Sequence, residues 1–267
     1  MSKKLFGKTG WGFLKETAPK PIRVMIGVPC FGAQMYAETA MALVNAIAHR
    51  AGTVVLTIAT SLLTVNRNTL WYEAVRRARR GEITHLLFMD ADTAPCDVDW
   101  LEQLLREMQK HQAQVLGCVY PIKNASGDTT TARQTGDAWH SECMTYAELR
   151  DHPVTWTAPD LLVGTGLLLI DMRGAWCDKI CFHIEDRIDR TPKGDFTVNA
   201  QSEDWHFCRQ AKALGVDIWA TMRIKLHHWG PSCWPSYTPT AADHTPNRNN
   251  VVEGGAVLYT VPGASHG

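Results

Sequence analysis

Two carboxylates, Asp90 and Asp92, follow the segment His85-Leu86-Leu87-Phe88-Met89, apolar after its histidine. At i and i+2 such a pair can hold a hard divalent cation that bridges to phosphates. The spacing alone says little, because Asp97-Val98-Asp99 repeats it a few residues on. That second pair precedes the apolar repeat starting at Trp100, where acids cap a helix and complement its dipole. Asp90 instead ends a strand, the place where open α/β sheets gather ligand groups. A second constellation is Ser202-Glu203-Asp204-Trp205-His206-Phe207-Cys208. It reads either as an N-capped helix with acids in its first turn or as a pair of acids available for proton transfer. A third is Leu226-His227-His228-Trp229-Gly230, in which either imidazole could be a ligand or simply a satisfied polar group.

The elements that must position these groups alternate. An apolar strand Val24–Pro29, a helix-like stretch Tyr36–Arg50, a strand Thr53–Ile58, a helix through Trp71, Ala74, Val75 and Ala78 closed by Gly81, and a strand Ile83–Met89 follow in order. A helix from Trp100 and a strand Gln114–Val119 complete a βαβαβαβ series, which predicts an α/β fold with a mostly parallel sheet flanked by helices. The Gly-, Ser- and Thr-rich stretch 124–137 reads as a loop. A strand Leu161–Asp171, a helix Ser202–Leu214 and strands Val216–Met222 and Arg223–His227 make a second, smaller block.

The 267 residues carry 27 Lys plus Arg against 27 Asp plus Glu. This excludes a generic polybasic or polyacidic binder. Charge is unevenly placed, however: residues 1–25 hold Lys3, Lys4, Lys8, Lys15, Lys20 and Arg23 against Glu16 alone, and Arg76, Arg77, Arg79 and Arg80 line one helix face. No stretch is long and apolar enough to span a bilayer, and no apolar segment follows the basic start, so a cytoplasmic protein is expected. Eight scattered cysteines without a CxxC pair read as reduced and mostly buried.

Taken in order, the motifs resemble the GT-A glycosyltransferases of the broad family-2 type, especially a small-protein branch common in bacteriophage genomes. The pieces are Val24-Met25-Ile26-Gly27-Val28-Pro29, Asn66-Arg67-Asn68 before a helix, His85 to Asp92, Tyr120-Pro121-Ile122-Lys123, Gly164-Thr165-Gly166 through Asp171, Ser202 to Cys208, and Leu226 to Gly230. The resemblance implies a Rossmann-like GT-A domain over 23–230, with a nucleotide-sugar half at 23–123 and an acceptor half at 124–230. A basic arm, 1–22, precedes it and an extended tail, 231–267, follows. It implies transfer of a sugar from a nucleotide sugar, a UDP-sugar by preference, with inversion and with Mn²⁺ or Mg²⁺ as cofactor. Asp90, Asp92 and His228 would hold the metal; Pro29, Phe31, Arg67, Asp90, Gly164 and Gly166 would bind the donor. Asp204 would be the general base, with Glu203 as its substitute.

Ten tryptophans are many for this length, and Trp205, Trp229 and Trp234 are candidates for the acceptor face, since aromatic platforms stack on sugars or unstacked bases. The basic segments and the phage-type resemblance suggest a hydroxymethylated pyrimidine in DNA as acceptor; a glycan, a protein, or a degenerate nucleotide-sugar binder are the alternatives. A dehalogenase-type phosphatase is disfavoured because Ala94 stands four residues after Asp90, and a nucleotidyltransferase because no Gly-rich loop follows the first strand. A zinc site from Cys177, Cys181, His183, His206 and Cys208 is the remaining metal alternative.

Overall fold

Side-chain alternation along the first and third strands decides where the helical layers lie. In the computed structural model, which describes residues 21–124, 126–136, 139–230, 233–236, 251–252 and 256–257, β1 (Val24–Cys30) and β3 (His85–Met89) are buried throughout. Val24, Ile26, Val28, Leu87 and Met89 face a layer made by α1 (Ala37–His49) and α3 (Trp100–His111). Met25, Leu86 and Phe88 face the other way, toward Leu70, Trp71 and Ala74 of α2 (Leu63–Arg79) and Phe207 and Ala211 of α5 (Glu203–Ala213). Strands covered on both faces need continuous apolar runs, and these two have them.

Seven strands form the central sheet in the order β2 (Val54–Ala59), β1, β3, β10 (Leu167–Asp171), β5 (Val115–Cys118), β13 (Ile218–Thr221) and β8 (Thr155–Thr157). β1 is parallel to β2 and β3, and β13 is parallel to β5, whereas β10 runs against both of its neighbours and β8 runs against β13. The result is the expected α/β class with a mostly parallel, Rossmann-like sheet. Among the described residues, no helix is long and apolar enough to cross a membrane.

Three local expectations change. The helix α2 begins at Leu63, so Asn66-Arg67-Asn68 lies inside it rather than ahead of it; Asn66 is buried, and its amide donates to the Cys30 carbonyl at 3.3 Å instead of competing with its own backbone. The stretch 161–171 is two strands, because β9 (Leu161–Leu162) joins another sheet before the chain crosses to β10. The expected loop 124–137 contains β6 (Asp128–Gln134), paired with β7 (Ser141–Thr145) and β9. Threonines hid that strand: Thr129 and Thr131 are fully buried, and the Thr129 hydroxyl donates to the Met144 carbonyl at 2.8 Å. They are β-branched and suit a pleated surface, yet they count as polar in any alternation pattern.

All eight cysteines are free; Cys30, Cys118, Cys177 and Cys208 are buried, while Cys96 and Cys181 are exposed. Residues 1–20 of the basic arm and most of the tail lie outside the described residues.

At Gly117 of β5 an added Cβ would stand 2.7 Å from Cβ of Val163, both deep in the core. Gly117→Ala is therefore expected to cost about 1–3 kcal/mol by overpacking, read as a lower urea midpoint with an unchanged slope; an unchanged midpoint would show that the 163–166 crossing yields freely.

Candidate active site

The strand order reverses between β1 and β3, with β2 outside the first and the later strands beyond the second. Open sheets bind ligands in the crevice at such a point. A cleft of about 860 Å³ opens there, and Pro29, Phe31, Tyr36, Leu63, Asp90 and Asp92 are among its walls. Its volume is in the range of small-molecule sites. The turn carrying the two aspartates is held by the backbone on several sides. Asp90 N donates to the Gly166 carbonyl at 2.9 Å, Tyr36 N to the Ala91 carbonyl at 2.9 Å, and Trp229 N to the Asp92 carbonyl at 2.7 Å.

Asp90 has the same strand parity as Leu86 and Phe88, so it faces the α2 and α5 layer, and there it meets Arg67. This guanidinium lies over the Phe88 ring, 5.7 Å from its centroid. Its Nε donates to Glu203 at 3.2 Å, and its Nη2 stands 3.0 Å from Asp90 and 3.8 Å from Asp204. Burial works against the charge, but the three carboxylates outweigh it and hold Arg67 firmly protonated. The acids respond less completely. Burial pushes the Asp90 carboxyl up in spite of Arg67, and burial and then Asp204 push Glu203 up as well. Arg67, expected from the resemblance to bind the donor, has a side chain only 2% exposed that ties three acids together.

Asp92 has different surroundings. The short strand β4 (Thr93–Pro95) pairs with β14 (Leu226–Trp229), setting Thr93 opposite His228. His228 consequently sits beside Asp92, while His227, one residue earlier, points the other way and packs edge-on to Trp229. His228 Nδ1 donates to the Pro121 carbonyl at 2.8 Å, which leaves Nε2 as the bare nitrogen, 3.7 Å from Asp92 Oδ1. Burial, then Lys123, lower the His228 pKa, favouring the neutral ring. Asp92 Oδ1 is buried without a hydrogen bond. A bare imidazole nitrogen and an unpartnered carboxylate oxygen, closer together than twice a metal–ligand distance of about 2.1 Å, are a donor set that fits Mn²⁺ or Mg²⁺. Asp90 fits less well, because Arg67 holds it. Among the described residues no group of three or more His, Cys, Asp or Glu forms a ready cage, so the fit is an open one, of the kind completed by substrate phosphates.

Asp204 lies in the first turn of α5, which Ser202 caps by accepting from Trp205 N at 3.4 Å. Its Oδ1 accepts from the Thr165 hydroxyl at 2.6 Å and its Oδ2 from Thr165 N at 3.3 Å. At 21% side-chain exposure against 8% for Glu203, Asp204 is the acid a substrate can reach. Gly164 and Gly166, expected at the donor, lie close against Tyr120. A Cβ on Gly166 would stand 2.4 Å from the Tyr120 hydroxyl, and one on Gly164 2.7 Å from it; the same hydroxyl accepts from Gly166 N at 2.8 Å. Thr165, Tyr120 and Lys123, whose ammonium contacts Asp92 Oδ2, were assigned no role from sequence. Paired glycines before an apolar strand were the available signal, since they mark a close backbone approach.

The expected acceptor aromatics separate. Trp205 packs on the core, and its indole donates to the Thr130 carbonyl at 3.5 Å. Trp229 stacks on Tyr36, with ring centroids 6.0 Å apart, and Tyr36 donates to the Gly230 carbonyl at 3.0 Å. Trp234, in β15 (Cys233–Pro235), lies opposite His228. The arginine face of α2 is not a bare cationic strip: Arg76 and Arg77 pair with Glu73, Arg79 with Asp178 and Arg80 with Glu82. Among the described residues the zinc candidates form no cage: His183 and His206 meet edge-on with ring centroids 5.6 Å apart, but the Cys177 thiol turns to the Asp171 carbonyl and the Cys208 thiol to the Val163 carbonyl.

Arg67→Met should leave three buried or half-buried carboxylates without their cation and cost about 3–5 kcal/mol, measured by urea unfolding; a variant as stable as the parent would remove Arg67 from the centre of the site. No family model matches the sequence, and no curated protein matches it. Among solved structures, the chain is similar to A197 from STIV at 15% identity, covering 78% of this chain and 86% of that one with a TM-score of 0.49. It is also similar to a CMP:2-keto-3-deoxy-manno-octonic acid synthetase complexed with CTP, at 10% identity over 74% and 88% of the two chains, TM-score 0.38, and to a 4-diphosphocytidyl-2C-methyl-D-erythritol synthase, at 11% over 73% and 86%, TM-score 0.35.

Proposed function

We propose that this protein is a glycosyltransferase that moves a sugar from a nucleotide-sugar donor to an acceptor hydroxyl with the help of Mn²⁺ or Mg²⁺. The observation that carries the reading is the pair formed by Asp92 Oδ1 and His228 Nε2, bare toward each other at 3.7 Å beside a nucleotide-sized cleft. The cation, when bound, neutralises charge growing on the departing diphosphate. Pro29 and Phe31 line the part of the cleft that would take the nucleoside, and the Phe31 ring is 73% exposed and free to stack. Asp204, fixed by both donors of Thr165, takes the proton of the acceptor hydroxyl as its oxygen bonds to the anomeric carbon and the bond to the donor phosphate breaks. Inversion at that carbon is what the family resemblance implies. Arg67 holds Asp90 and Asp204 in register without touching either substrate, and Glu203 shares that positioning role.

The acceptor is proposed more narrowly as a hydroxymethylated pyrimidine of DNA, on the strength of Trp229 and Tyr36 stacked beside the cleft and of the basic residues 1–25. A glycan or protein hydroxyl is the other outcome of the same test.

EDTA should abolish transfer and Mn²⁺ restore it, followed as release of nucleoside diphosphate; full activity in EDTA would end the assignment of Asp92 and His228, and release of pyrophosphate would indicate nucleotidyl transfer instead. Asp204→Asn should bind the donor as the parent does while slowing transfer by about 10²–10⁴-fold; a near-normal rate would move the base elsewhere. Incubation of a panel of nucleotide sugars with hydroxymethylated and plain DNA, read as a nucleoside mass shift, tests the acceptor; donor hydrolysis without a shift would exclude DNA.

A further inference from the structure

Lys123 has no part in the mechanism above, yet its ammonium meets the one carboxylate that a cation would need. The segment that carries it is anchored at each step. Tyr120 accepts from Gly166 N, Pro121 accepts from His228, and Ile122 N donates to the Asp128 carbonyl at 3.0 Å. Its stem runs over Gly230, where a Cβ would come within 3.1 Å of Cδ of the lysine. That glycine thus keeps the path of the stem open. The root is fixed, whereas the tip, held on Asp92, has solvent beside it, since the Lys123 and Asp92 side chains are each 31% exposed.

The site sets Asp90, Asp92, Glu203 and Asp204 against two cations, Arg67 and Lys123. A divalent cation would balance the surplus of negative charge. Held at Asp92 Oδ1, beside the Oδ2 that Lys123 contacts, it would also set a second positive charge against the ammonium, and of the two side-chain cations only Lys123 is able to move aside, because Arg67 is sealed in the interior. A lysine ammonium is a compact charge on a flexible stem, and a half-exposed pair with a carboxylate is worth little, so the exchange is cheap. Phosphate oxygens are the stronger partners once they are present.

Building on the reading of a diphosphate donor held through a divalent cation, we propose that Lys123 is a tethered counter-ion. In the donor-free protein it neutralises Asp92; when the cation takes Asp92 and His228, its ammonium passes to the diphosphate of the donor and steadies the leaving group.

Three variants of the full chain separate the outcomes, with Mn²⁺ binding followed by the electron paramagnetic resonance of the free ion and uridine diphosphate binding by calorimetry. Lys123→Met keeps the stem and removes the charge; it should bind Mn²⁺ alone about fivefold tighter and bind uridine diphosphate in saturating Mn²⁺ about tenfold or more weakly. Uridine, which has no phosphate, should bind both proteins alike. Lys123→Arg should stay near the parent in both measurements, and Lys123→Gln should follow Lys123→Met. If the parent binds Mn²⁺ and uridine diphosphate and Lys123→Met matches it in both, the counter-ion role is wrong and the donor reading stands. If Lys123→Arg loses as much as Lys123→Met, the effect is packing of the stem and the role is again wrong. A parent that binds neither probe overturns the donor reading and the proposal together.

Discussion

A buried guanidinium among three carboxylates is the constraint on which the rest of this site depends. Arg67 comes from α2, Asp90 from the end of β3, and Glu203 and Asp204 from the first turn of α5, so one side chain fixes three elements that lie far apart in sequence. Desolvating these charges is costly, and the cost is recovered only while all members are present. The helix start, the strand end and the turn between the aspartates are consequently locked to one another. Phe88 lies below the guanidinium and is packed edge-on by Phe182, which stacks in turn on Phe207.

On the other side of the cleft the constraint is different. Asp92, Lys123 and His228 form a partly exposed group: Lys123 contacts Asp92, the His228 ring is held by the Pro121 carbonyl, and the Asp92 carbonyl accepts from Trp229 N. The two aspartates of one motif therefore do unlike work. Asp90 belongs to a rigid interior network, and Asp92 belongs to a rim that can accept a cation. The turn makes the division: residues two apart would share a face on a strand, but the chain turns from Asp90 and swings Asp92 toward β14.

The charge distribution acquires meaning from this geometry. Net neutrality hides a cluster of acids at the carboxyl end of the sheet, where Arg67 and Lys123 compensate them incompletely. The arginines on the outer face of α2, which looked available for a polyanion, are spent on neighbouring acids. Exposed pairs of this kind contribute little stability, but they erase a cationic surface. Electrostatic attraction to a nucleic acid, if that is the acceptor, has to come from elsewhere in the chain.

The alternation of apolar runs determined the fold class, and the carboxylates at the end of one such run marked where the site would be. Those signals are local, since periodicity and strand ends are written within a dozen residues. The same locality explains the misses: β6 was hidden because its threonines are polar by composition and buried in fact, and α2 was entered late because Asn66 and Arg67 look like loop residues until their partners are known. The choice between His227 and His228, the withdrawal of Arg67 from the cleft, the roles of Thr165 and Tyr120, and the contact of Lys123 with Asp92 were decided only by tertiary structure. Each depends on residues some 30 to 140 positions apart meeting across the sheet, and whether a charged side chain is a ligand, a base or a buried strut is set by what stands within about 4 Å of it.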